Sequence, residues 1–189
     1  IDKTCYLAYY FCGMQKEELD TPVLIVDLDI MENNIRDMAD AVADEGVVLR
    51  PMIKTHRCPA IAHLQLEARA TSGIQCAKLG EAEVMAAAGI KDIFISNELI
   101  GEQKLERLMN LAKRHKISTS VDSLEGACGI SAAAQKHNLK LDVLIHIDSG
   151  NRRSGVLPGE PALALAREII KLEGLNFKGI WTHEGHNYT

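Results

Sequence analysis

One lysine carries the clearest chemical signal in the sequence. In Val48-Leu49-Arg50-Pro51-Met52-Ile53-Lys54, the two-residue repeat of a strand puts Val48, Arg50, Met52 and Lys54 on one face. Two cations on an inward face are costly unless an anion accompanies them. A desolvated lysine beside another cation becomes an amine nucleophile toward carbonyl compounds. An exposed lysine at a strand end is the plainer alternative. Further along, Asp148-Ser149-Gly150-Asn151-Arg152-Arg153-Ser154-Gly155 frames two arginines with glycines. Such a loop can bring backbone N–H groups and a guanidinium onto an anion. It also fits an ordinary strand-to-helix connection with solvated arginines. His183, Glu184 and His186 are metal-ligand types, but strand alternation sets His183 opposite the other two. A cofactor-facing side chain suits His183 better. Asp27 and Asp29 share a strand face and read as cap or surface residues. Cys58 sits near Lys54 with no base spaced to activate it.

These residues need elements to position them. Short β-branched runs alternate with longer amphipathic segments. Strands are expected over Val23–Asp29, Val47–Thr55, Gly73–Lys78, Asp92–Asn97, Ile117–Asp122, Leu141–Asp148 and Phe177–Thr182. Helices are expected over Ile30–Glu45, Pro59–Ala70, Gly80–Ala88, Glu102–His115, Leu124–His137 and Gly159–Leu172. This is the rhythm of a parallel α/β sheet. The C-terminal strand ends of such folds carry active sites. There the sequence places Lys54, Lys78, Asn97, Asp122, Asp148 with Arg152 and Arg153, and His183. No GxGxxG follows the first strand and no GxxxxGK[ST] occurs, which counts against dinucleotide and P-loop chemistry.

Composition agrees with a soluble globular domain. Apolar residues make up 47% and charged residues 25% of the 189. The net charge of −5 argues against nucleic acid as a main partner. No apolar run reaches the ~20 residues of a membrane span. The opening stretch reads as an N-terminal arm rather than a leader. Five scattered cysteines without a CxxC pair read as reduced thiols of a cytoplasmic protein, with Cys76 and Cys128 expected to be buried.

Four motifs together resemble a known family: Leu19-Asp20-Thr21-Pro22, Arg50-Pro51-Met52-Ile53-Lys54-Thr55-His56, Leu79-Gly80-Glu81-Ala82-Glu83 and Asp148-x-Gly150-x-x-Arg153-x-Gly155-Val156. They resemble the fold-type III pyridoxal-phosphate enzymes. Within these the sequence looks most like the group of D-threonine aldolase, eukaryotic-type D-serine dehydratase and D-threo-3-hydroxyaspartate dehydratase, with alanine racemase more distant. The resemblance implies an arm over residues 1–18. Residues 19–189 would then form part of a (β/α)8 TIM-type barrel of the alanine racemase N-terminal domain type. It implies that Lys54 holds pyridoxal 5'-phosphate as a Schiff base, that Arg153 approaches the cofactor's phenolic oxygen, and that His183 stacks on its ring. The family pattern sets the Val23–Asp29 strand outside the barrel, which leaves six barrel strands. Closing strands and a C-terminal β-domain bearing a divalent metal (Mn or Zn) are expected outside this chain, so no metal ligand is assigned within it. The implied activity is a cytoplasmic, homodimeric lyase acting on D-3-hydroxy amino acids. Asn97-Glu98 and Glu184-Gly185-His186 favour aldol cleavage to glycine and an aldehyde. Dehydratase, amino-acid racemase and non-catalytic cofactor carrier are the alternatives.

Overall fold

A computed structural model describes residues 15–187. Five strands form one parallel sheet in sequential order: β1 Ile74–Cys76, β2 Asp92–Ile95, β3 Lys116–Val121, β4 Leu141–Ile147 and β5 Leu175–Thr182. Six helices accompany them: α1 Leu28–Ala43, α2 Pro59–Glu67, α3 Leu79–Ala87, α4 Glu102–Ala112, α5 Leu124–Lys136 and α6 Glu160–Ile169.

Register explains the core. Ile74, Ile93 and Ile117 are successive partners across β1, β2 and β3. All three are buried, as are Ile95, Val143 and Ile145. They pack with Met85, Leu108, Met109, Ile130 and Ile169 of the helices into one apolar cluster. Burying a side chain of this size stabilises by about 1.5–3 kcal/mol. The opposite row, Gln75–Phe94–Ser118–Asp142–Asn176, is mostly polar. Toward the N-terminal strand ends it carries ion pairs. Asp92 receives Arg50 at 2.7 Å and Lys116 at 2.5 Å, while Asp142 lies 3.7 Å from Lys178. Arg50, the second inward cation of the lysine's segment, is thus neutralised at the edge far from the strand C-termini.

Two expected strands differ. Val23–Asp29 is not a strand. Residues 23–27 run without strand pairing, and Asp27 accepts a hydrogen bond from the Ile30 N–H at 3.0 Å, which caps α1. The helix therefore begins inside the expected strand. The Val47–Thr55 strand is reduced to two isolated bridges, Leu49 with Thr71 and Met52 with Gln75. Pro51 has no N–H to donate, yet its carbonyl accepts from Gln75, and Ile53 N–H donates back to Gln75 at 3.0 Å. The segment is tied to β1 without forming a regular ladder. Cys76 is buried, and burial together with Glu81 pushes its thiol up to about 12. Cys128 is exposed, contrary to expectation: it falls on the solvent side of α5.

Candidate active site

Lys54 emerges where the bridged segment ends. Ile53, fully buried, anchors the backbone immediately before it. The chain then turns: Arg57 N–H donates to the Ile53 carbonyl at 2.8 Å, and the Arg57 side chain to the Lys54 carbonyl at 3.2 Å. His56 locks the turn. Its Nδ1 accepts from Cys58 N–H at 3.0 Å, and its Nε2 faces Gln65 Oε1 at 3.2 Å. An accepting Nδ1 leaves the proton on Nε2. Pro59 then opens α2 at its first turn. The Lys54 side chain is left exposed at the C-terminal edge of the sheet.

The glycine-framed loop follows β4. Asp148 Oδ1 accepts from Gly150 N–H at 3.0 Å and Arg152 N–H at 2.9 Å. Those backbone bonds hold the Asp148 carboxyl below its ordinary value. Gly155 N–H donates to Asp122 at 3.3 Å. These three N–H groups of the loop serve the chain's own carboxylates rather than an outside anion. It presents Arg153 instead. Asp148 N–H and the Val156 carbonyl close the loop at 2.9 Å.

His183 follows β5. Burial, then the positive charges of Arg153 and Lys54, push it below its ordinary value of 6.5, against the opposing pull of Glu184. The ring is therefore favoured in its neutral form at neutral pH. Lys54, Arg153 and His183 meet at one cleft of about 490 Å³, with Met52, Gln75, Ala77, Ser96, Asn97, Glu98, Ser154 and Trp181. Small-molecule sites commonly span about 300–1,000 Å³. The three residues expected to act together, drawn from stretches as distant as 54 and 183, line the same space. Lys78 does not join them; it precedes α3 as its N-cap. Asp122 holds the loop rather than the cleft. No group of three or more His, Cys, Asp or Glu among the described residues could hold a metal ion. Sequence reasoning missed His146 and Trp181, and used Glu98 only as part of a motif. His146 and Trp181 are register partners on β4 and β5, a relation no local spacing reveals.

The alanine racemase N-terminal domain model matches residues 26–188. The chain belongs to this family. Among curated relatives, the 3-hydroxy-D-aspartate aldolase of Paracoccus denitrificans is 36% identical across 93% of this chain and 46% of its own. The D-threonine aldolase of an Arthrobacter species is 42% identical across 88% and 44%. The chain thus spans less than half the length of these relatives. The crystal structure of D-threonine aldolase from Filomicrobium marinum superposes with a TM-score of 0.83 at 43% identity, over 86% of this chain and 43% of that one. D-threo-3-hydroxyaspartate dehydratase from Delftia sp. HT23 gives 0.82 at 34%, over 89% and 44%. The alanine racemase N-terminal-type architecture, partial in this chain, is thereby established. No helix among the described residues is long and apolar enough to cross a membrane.

Proposed function

We propose that this chain is the cofactor-binding part of a pyridoxal-phosphate lyase acting on D-3-hydroxy amino acids, with aldol cleavage of a D-threonine-like substrate favoured. One observation carries the reading: Lys54, Arg153 and His183 line one cleft at the C-terminal edge of the sheet. The groups there suit the cofactor. Lys54 offers an exposed amine for the aldehyde carbon, Arg153 a guanidinium for an anionic oxygen, and His183 a ring favoured neutral to lie against the pyridine face. When bound, the cofactor supplies an electron sink for the bond that breaks. The chain's own part is positional. The His56-locked turn fixes where the Lys54 amine enters. The loop closed by Asp148, Asp122 and Gly155 fixes where Arg153 enters. Dehydration, the chemistry named for another relative, is the second reading; aldol cleavage is preferred on the higher identity to D-threonine aldolases.

The divalent metal (Mn or Zn), the homodimer and a cytoplasmic location belong to the same reading. The metal's ligands are placed outside this chain.

The test is direct. Incubation with pyridoxal phosphate and reduction with sodium borohydride is expected to add a phosphopyridoxyl group to Lys54, and none at that peptide in Lys54→Ala. Label scattered over other lysines, or none, overturns the assignment. Glycine and acetaldehyde from D-threonine on addition of Mn would support aldol cleavage in a protein carrying this chain. Pyruvate and ammonia from D-serine would favour dehydration instead.

A further inference from the structure

Glu98 lies just past β2 and His146 on β4, 48 residues apart in the chain. His146 Nδ1 and Glu98 Oε1 stand 2.6 Å apart. A carboxylate only accepts, so the imidazole donates Nδ1–H, which fixes the orientation of its ring. His146 is 4% exposed. Its face lies on the indole of Trp181, with ring centroids 4.2 Å apart and planes at 28°. Phe94 meets the same indole edge-on, at 5.5 Å and 78°. Trp181 Nε1 is buried and has no hydrogen-bond partner among the described residues. Buried indole N–H groups normally find an acceptor. This ring is placed by its aromatic contacts rather than by a hydrogen bond. Both Trp181 and Glu98 line the cleft that holds Lys54, Arg153 and His183.

We propose that Glu98 and His146 are positioning residues for this cleft: Glu98 locks the imidazole, and the locked imidazole holds Trp181 as the cleft wall. Without the carboxylate, the imidazole is free to turn about its χ angles, and the indole loses its stacking partner. The cleft that Lys54 lines then loses one of its walls. Their assigned part is to hold the wall rather than to react. This inference rests on the proposed cofactor reading for its consequence in binding, though not for the hold on Trp181.

The experiment uses the whole chain and its single tryptophan. Acrylamide quenching of Trp181 fluorescence reports the wall, and borohydride trapping of pyridoxal phosphate on Lys54 reports the cleft. In Glu98→Ala, quenching is expected to rise several-fold and half-labelling to need several-fold more pyridoxal phosphate, with the final extent of Lys54 labelling unchanged. Glu98→Gln keeps an oxygen that accepts from Nδ1–H and is expected to return both readouts toward the unaltered chain. His146→Leu removes the stack within an apolar side chain and is expected to repeat the Glu98→Ala pattern. Quenching unchanged in both Glu98→Ala and His146→Leu overturns the proposal, as does Glu98→Gln being as perturbed as Glu98→Ala. Absence of label in the unaltered chain overturns the cofactor reading instead, and the quenching result still decides the positioning pair.

Discussion

His56 shows how a residue beside the site, rather than in it, sets the geometry. Burial, opposed by its bonds with Gln65 and Cys58, lowers its pKa from the ordinary 6.5. The folded protein therefore binds this proton less readily than the unfolded chain. The stabilising contribution is complete above 6.5 and shrinks as pH falls from 6.5 through the lowered folded value. The melting temperature is expected to drop across that window, and the drop to be smaller in His56→Asn, whose amide oxygen can replace Nδ1 as acceptor. Equal slopes in the two proteins would show that protonation of His56 does not set this pH dependence. At this scale the sequence was informative where motif and spacing coincide: Lys54, Arg153 and His183 could be named as candidates, and they line one cleft. Glu98 and His146 could not be paired, because their contact joins two strand ends 48 residues apart.

Elements were legible wherever apolar periodicity ran unbroken, as along α3 to α5 and β2 to β4, with Gly89 also marking the end of α3. They were misjudged where one side chain outweighed the pattern. Val23–Asp29 alternates like a strand, but the Asp27 carboxylate reaches the Ile30 N–H and starts a helix. Pro51 similarly interrupts a run that otherwise alternates well. The connection after β4 has its own requirement. Gly155 sits at φ +98°, and a Cβ there would stand 2.7 Å from the Asp148 nitrogen. Gly155→Ala must strain or displace the backbone that carries Arg153, at a cost of about 1–3 kcal/mol. A lower urea midpoint is the expected result; an unchanged midpoint would mean the loop relaxes freely.

At the scale of the whole molecule, β5 pairs only with β4 among the described residues. Ile180 on it is 65% exposed, and Leu24 near the other end is 98% exposed. A strand with an unpaired edge is a template for further pairing. Ile180→Lys is expected to lower concentration-dependent light scattering of this chain, since an edge lysine opposes edge-to-edge contact; equal scattering would place the association elsewhere. The order of the sheet was readable from the β/α alternation, whereas the edge is a property of the chain's three-dimensional closure and leaves no mark in any one segment. The polar end of the sheet has a separate consequence. Gly73, at φ +67°, lies so close to the Arg50 guanidinium and to the Asp92 carbonyl (2.7 Å from a built Cβ) that no side chain fits. Arg50 and Lys54 share one short segment. A single methyl group at position 73 would meet the Asp92 carbonyl, which is backbone, and the end of the Arg50 side chain, which would be pushed off its carboxylate partner. The glycine is what leaves room for that ion pair.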